Sequence, residues 1–274
     1  MREFTATHSV AVMDYCGEVL RVFETELCRH AAVFPQSKNL LDRLAQARDA
    51  VLRDGWAMWS GVDEAHNELC VAAAILGSPE YPIRRLEYEP PVEDGARTID
   101  FRVSGPDGRV WLIDVKTIAP QLIDRWDQYD RAKSKKRLKD GELVFLRGAL
   151  GGELWHLKFA SRSRMLEYTL ELEQKLASYA TVDADTTVMM LCSNGFDWHE
   201  DELEDFVAFY VDGQHRRDDS LASMEKHAVD SSGVQLPRHV RRFGYLQRND
   251  HAIQPSVVNW NVRPPAWPSF GFAV

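Results

Sequence analysis

The sequence predicts an α/β (α+β) fold in which a mixed central sheet is flanked by helices. Three observations lead to this prediction. Two short strands joined by a tight turn span residues 97–117, amphipathic helical segments precede them, and an apolar run at 186–192 is typical of a strand buried on both faces. Helices therefore cover a sheet whose first strands form an antiparallel meander.

The first 60 residues are predicted to form an N-terminal helical segment, with helices at 9–30 and 38–53 where apolar side chains recur at helical spacing. We expect scaffolding and no chemistry from them. A third helix at 62–76 opens a core domain at 61–213 and ends at Gly77. Its buried stripe should contain Val62, Ala65, Leu69, Ala72 and Leu76, while His66 is expected to face solvent.

The first strand is expected at 83–89, because the two prolines that follow cannot continue a sheet ladder. The turn Gly105-Pro106-Asp107-Gly108 then predicts a hairpin with a type I turn and a left-handed glycine. In that geometry the numbers of facing residues sum to about 214. The register pairs large apolar side chains on one face, namely Val103 with Trp111, Phe101 with Ile113, and Ile99 with Val115.

The opposite face of this hairpin places Asp100 across from Asp114, with Lys116 beside them. Two carboxylates at about 5 Å repel by roughly 3 kcal/mol at an effective dielectric near 20. A divalent cation would relieve that repulsion, and an adjacent lysine can orient a water molecule or stabilise negative charge. The alternative is that both acids are solvated, with Arg97 and Arg102 as counter-charges.

Asp100 followed by Asp114-Val115-Lys116 on the next strand of a hairpin resembles the PD-(D/E)XK nuclease superfamily, with Ile99 where that motif has proline. The resemblance implies a restriction-endonuclease-like core with the element order αβββαβ. It also implies metal-dependent hydrolysis of phosphodiester bonds in nucleic acid, with DNA as the expected form. In that scheme Mg²⁺ or Mn²⁺ is held by Asp100, Asp114 and the carbonyl of Val115, and Lys116 positions the attacking water.

The resemblance also implies an acid from the helix before the first strand. Glu68 matches that role best, acting directly or through water, and Glu64 is the second choice. Gln121 follows the strand of Asp114 at a position where some branches place a catalytic glutamine. Those branches have tyrosine four residues later, where this chain has Arg125.

The rest of the predicted core contains an insertion at about 140–180, which ends in a helix at 163–179, and a fourth core strand at 186–192. The acids around Asp197 and Glu200 are explained by a helix start. Residues 214–274 should form a C-terminal extension packed on the core. Its aromatic tail could also contact a protein partner or a second copy in a homodimer.

The net charge of −9 opposes the coating of nucleic acid by bulk electrostatics, so binding is expected from local basic stretches at 131–139 and 238–248. The alternatives are a solvated helix face for the first stretch and a strand or loop packed by its aromatics for the second. The candidate nucleic-acid-binding residues are Lys133, Lys135, Lys136, Arg137, Arg241 and Arg242.

Four widely separated cysteines suggest neither a zinc site nor a disulfide framework. The sequence contains no apolar run of membrane-helix length and no signal-peptide pattern at its start, so a cytoplasmic location without membrane association is expected. The competing function is a catalytically silent protein of the same fold that binds nucleic acid or a protein partner.

Overall fold

The computed structural model of this chain describes residues 4–77, 82–90, 98–118, 165–166, 168–177, 179, 186–193, 203, 206–208, 240 and 242–247. Three long helices come first, α1 (Ala6–Cys28), α2 (Ser37–Asp54) and α3 (Trp59–Leu76), with a 3-10 turn at Trp56–Met58. Five strands follow, β1 (Arg85–Tyr88), β2 (Phe101–Ser104), β3 (Val110–Ile118), β4 (Thr187–Ser193) and β5 (Arg242–Gln247). Residues 168–176 are also helical and are called the 168–176 helix.

The predicted N-terminal helices are confirmed, and their burial follows the spacing of their apolar side chains. The α1 helix buries one stripe, consisting of Val12, Cys16, Val19, Phe23 and Leu27. By contrast, α3 is buried along nearly its whole length, because it lies between the sheet and the other two helices. For that reason the exposure predicted for His66 is wrong. Its ring is 1% exposed and Nδ1 lies 2.7 Å from the Tyr15 hydroxyl.

The five strands form one mixed sheet in the order β1-β2-β3-β4-β5. The first three pair as the predicted antiparallel meander, and β4 and β5 add in parallel. The strand predicted at 186–192 is therefore confirmed as β4, and the structure places it beside β3. A parallel strand needs a crossover connection, and the 168–176 helix lies on that connection.

The turn sets the predicted register of the hairpin. Gly108 has a φ of 83° and Gly105 N–H donates to the Arg109 carbonyl at 2.9 Å. Phe101 pairs with Ile113 and Val103 with Trp111, as predicted. The ladder ends there, and Ile99 packs on the opposite face of the sheet from Val115. The prediction that Ile99 shares a face with Phe101 is therefore wrong, because the backbone leaves the strand at Asp100.

The sheet separates two apolar cores. One lies under α1, α2 and α3 and includes Val115 and Met190, whereas the other lies under the 168–176 helix and includes Leu112 and Met189. Alternate residues of β3 and β4 thus face different helices, as expected of strands buried on both sides. The 168–176 helix falls within the predicted insertion, and its apolar side chains pack directly on the sheet.

The second basic stretch, at 238–248, contains strand β5. Phe243 and Tyr245 are buried in the core, and Arg242 is 6% exposed with its guanidinium 5.7 Å from the centre of the Trp111 ring. Of the two interpretations given for this stretch, a strand packed by its aromatic side chains is therefore the one that fits residues 242–247. The burial of Arg242 opposes its assignment to nucleic-acid binding, because its charged group is withdrawn from solvent.

None of the helices in the described ranges combines the length and the apolar character that crossing a membrane requires.

Candidate active site

The candidate site lies where β2 and β3 separate. The Asp100 carboxylate Oδ2 accepts a hydrogen bond of 2.6 Å from Val115 N–H, a donor that would otherwise meet a backbone carbonyl of the neighbouring strand. The N–H of Ile99 donates instead to the Tyr179 hydroxyl at 3.0 Å. A side-chain carboxylate thus completes the ladder, and this contact fixes Asp100 beside the strand that carries Asp114.

Asp114 is completely buried and faces the 168–176 helix. Its Oδ1 lies 2.5 Å from Lys175 Nζ, and its Oδ2 lies 3.3 Å from Lys116 Nζ. The solvated alternative is therefore wrong for this acid. The counter-charge proposed from Arg102 is directed elsewhere, because Arg102 lies 3.5 Å from Glu87.

Lys116 is held on three sides. Besides Asp114, its Nζ lies 3.5 Å from Glu171 Oε2 and 5.8 Å from the centre of the Tyr168 ring. Burial by itself would lower the pKa of Lys116, but the charges of Asp114 and Glu171 outweigh it and the pKa is raised. Lys116 is therefore an ammonium at neutral pH, which can donate hydrogen bonds and stabilise negative charge but cannot act as a base.

Asp100 is partly exposed as a residue, yet the surrounding protein desolvates its carboxylate. That desolvation, followed by repulsion from Asp114, raises its pKa to about 7, against the opposing effect of the lysines. The folded protein therefore favours the protonated form of this carboxyl more than water does. A cation bound at this position would hold it ionised.

The two candidate helix acids differ in placement. Glu68 is 4% exposed, whereas the Glu64 side chain is 50% exposed. Glu68 Oε2 accepts hydrogen bonds of 2.8 Å from both Arg43 and the Tyr88 hydroxyl. Desolvation, and then the charge of Asp100, raise the pKa of Glu68 to about 8. Glu68 is therefore the inward-facing acid and lies close enough to Asp100 to interact with it.

Sequence reasoning missed two basic residues at the site. Arg43 lies in α2, a helix from which no chemistry was expected. Lys175 follows Glu171 by four residues on a helix, a spacing that is typical of a solvent-exposed ion pair. The helical period predicts which side of each helix is polar. It does not predict which strand or helix that side contacts.

The donor set fits a hard cation. Asp100 and Asp114 supply carboxylate oxygens, and the buried Oδ2 of Asp114 makes no hydrogen bond despite its ion pair with Lys116. Across the described part of the chain, no group of three or more His, Cys, Asp and Glu side chains is arranged to hold a metal. Mg²⁺ commonly binds through one or two carboxylates and keeps several waters, so a pair of aspartates without a third acidic ligand is compatible with that ion.

Several predicted residues fall outside the described ranges. They are Gln121, Lys133, Lys135, Lys136, Arg137 and Arg241, together with Arg97, Asp197 and Glu200.

Comparison of the chain with family models, with curated proteins and with solved structures finds no match.

Proposed function

We propose that this chain is a metal-dependent nuclease of the PD-(D/E)XK type with a restriction-endonuclease-like core, and that it hydrolyses phosphodiester bonds of nucleic acid, with DNA as the expected substrate. The observation that carries the proposal is the buried Asp114 beside Asp100 and between two lysine ammonium groups. Carboxylates that can hold a metal ion and ammonium groups that can stabilise developing negative charge are groups that metal-assisted phosphodiester hydrolysis uses.

Asp100, Asp114 and the carbonyl of Val115 would hold Mg²⁺ or Mn²⁺, which supplies Lewis-acid activation of the phosphate and of a water molecule. Lys116 stays protonated, so it orients the attacking water as a hydrogen-bond donor and stabilises the charge that develops on the phosphate. Its contacts with Asp114 and Glu171 fix its direction before substrate binds.

Binding of the nucleic acid is assigned to the basic stretch at 131–139, with Lys133, Lys135, Lys136 and Arg137, and to Arg241. The burial of Arg242 removes that residue from the set. In this proposal Glu68 assists the metal through a water molecule. Both hydrogen bonds that Glu68 accepts fall on its Oε2, which leaves Oε1 for the contact with that water.

A second candidate function is a catalytically silent protein of this fold that binds nucleic acid or a protein partner. The contact between Lys175 and Asp114 favours it, because two lysines already pair with the buried Asp114 without a metal. In that case the charged cluster would serve only to close the space between the sheet and the 168–176 helix.

Incubation of the purified protein with circular and linear DNA, with Mg²⁺ or Mn²⁺, separates the two functions. The parent should cleave, and cutting of the closed circle would identify endonuclease activity. The Lys116→Ala variant should lose cleavage by about 10²–10³-fold, because it removes a donor to the developing charge. It should keep the metal-induced rise in Tm, since Lys116 is not a ligand. A parent that shows neither cleavage nor metal-induced stabilisation would exclude the nuclease and leave the binding protein.

A further inference from the structure

We propose that Lys175 is the internal counter-cation of the candidate active site: its ammonium neutralises Asp114 when no divalent ion is bound, and the ion displaces it from that carboxylate. This inference rests on the proposed function, because it concerns the same site. It adds a residue of the 168–176 helix that controls how tightly the metal binds.

The contact itself is the first reason. Lys175 Nζ lies 2.5 Å from Asp114 Oδ1, the Lys175 side chain is 14% exposed and the Asp114 side chain is completely buried. An ionised carboxylate at that depth needs a charged partner. Lys175 makes the closer of the two lysine contacts with this acid, and a metal that binds through Asp114 would compete for the same carboxylate.

The charge balance of the cluster is the second reason. When all three acids are ionised, Asp100, Asp114 and Glu171 carry three negative charges against the two positive charges of Lys116 and Lys175. A divalent cation added to this cluster would leave an excess of one positive charge in a poorly solvated site, which is unfavourable. Departure of one ammonium group from the carboxylates reduces that excess, so metal binding and lysine displacement are linked.

The difference between the two lysines identifies which one leaves. Lys116 is also anchored by Glu171 and by the Tyr168 ring. Within the described part of the chain, Lys175 forms an ion pair with Asp114 only. Its four-carbon stem lets the ammonium rotate away without movement of the helix backbone. The metal therefore competes with Lys175, and Lys116 stays in position for catalysis.

Replacement of Lys175 with methionine tests this competition. The variant keeps the length of the side chain and removes the charge. The Mg²⁺ or Mn²⁺ concentration that gives a fixed rise in Tm, called the metal midpoint below, should therefore fall by at least about tenfold. In the absence of metal the same variant should melt below the parent, because two acids are left with one lysine. Direct titration with Mn²⁺ should show the same gain in affinity by calorimetry.

Two further variants complete the experiment. Lys175→Gln keeps a hydrogen-bond donor for Asp114 without the charge, so it should fold even if the methionine variant does not, and it should show the same gain. Lys38→Met is the matched control, because Lys38 is 79% exposed and is paired with Asp42 on the surface of α2. Its metal midpoint should equal that of the parent.

The outcomes separate this inference from the function on which it rests. Equal metal midpoints in the parent and in both Lys175 variants would overturn the displacement while leaving the nuclease intact. No metal binding in any of them would overturn both proposals. Binding of Mn²⁺ by the Lys175 variants alone would support the competition, and a parent that then fails to cleave would count against the nuclease only.

Discussion

Two buried carboxyl groups, those of Asp114 and Glu68, lie on opposite sides of the central sheet and have different polar partners. Asp114 meets the flexible ammonium groups of Lys175 and Lys116. Glu68 meets the planar guanidinium of Arg43 and the hydroxyl of Tyr88, and those two groups also contact each other at 2.6 Å. The burial is similar, but the partners are not interchangeable, since a guanidinium is rigid and a lysine stem can rotate.

The difference indicates separate roles for the two acids. Arg43 also lies 3.8 Å from Glu64 and 3.6 Å from Glu89, so one guanidinium joins α2, α3 and the end of β1. Such a network holds elements together and is poorly suited to exchange its cation. The Lys175 pair joins only the 168–176 helix and β3, and the Lys116 pair lies within β3, so opening either pair disturbs fewer elements than opening the Arg43 network. Within the proposed function we therefore assign exchange of the metal ion to Asp114, and to Glu68 structural support together with an indirect contact to the metal through water.

The largest expected effect distinguishes the two acids by activity. Asp114→Asn removes a proposed ligand and should lower the cleavage rate by about 10³-fold and abolish the metal-induced rise in Tm. Glu68→Gln should reduce cleavage by about tenfold, the size of effect typical of an outer partner of a metal site, and should keep the metal response. Rates and melting temperatures measured side by side test this difference. Equal losses of activity in the two variants would show that both acids bind the metal directly.

Local geometry explains why part of this site could be predicted from the sequence. The turn at 105–108 determines the register of the hairpin, and the alternation of a strand then places Asp114 and Lys116 on one face. The helical period predicted three helices whose boundaries the structure confirms to within a few residues. Each of these features depends on residues that are close together in the chain.

The features that the sequence could not indicate depend on distant partners. Lys175 contacts Asp114 across 61 positions, and Arg43 contacts Glu68 across 25. The polar side chains on these two helices could equally well have faced solvent, so their spacing did not predict these contacts. Burial of His66 and Arg242 follows from the elements packed over them, for which periodicity has no signal. Ile99 packs in the other core, and there its backbone N–H donates to the Tyr179 hydroxyl, a partner that lies 80 positions away in the chain.

A smaller effect should appear in the pH dependence of stability on the Glu68 side. Burial raises the pKa of Glu68 from 4.5 to about 8, so the folded state prefers the protonated acid. Protonation of Glu68 contributes its full stabilisation below pH 4.5. The free energy of unfolding then falls as the pH rises from 4.5 to about 8, and above about 8 this group causes no further fall. Arg43→Met should raise this pKa further, so the variant should go on losing stability above pH 8.

We expect Arg43→Met to lower the free energy of unfolding by about 1 kcal/mol at pH 7, from lost hydrogen bonds, and by on the order of 2 kcal/mol at pH 9. Urea unfolding at both pH values measures the difference. Arg53→Met is the control, since that arginine lies on the same helix, is 70% exposed and should change stability by less than about 0.5 kcal/mol. A pH-independent loss in Arg43→Met would mean that Glu68 is not the group it neutralises.

The smallest expected effect compares two tyrosine hydroxyls, one near each acid. Tyr179→Phe leaves the N–H of Ile99 without its acceptor, and this should lower the free energy of unfolding by about 1 kcal/mol. Because that bond holds the backbone where the Asp100 carboxylate turns toward β3, the metal midpoint should also rise, by roughly two- to fivefold.

Tyr88→Phe removes a donor to Glu68 and should destabilise the protein by a similar amount while leaving the midpoint unchanged. Metal titrations followed by Tm measure both variants in one experiment. A shift of the midpoint by Tyr88→Phe that matches the shift by Tyr179→Phe would place Glu68 in direct contact with the metal and remove the distinction between the two acids.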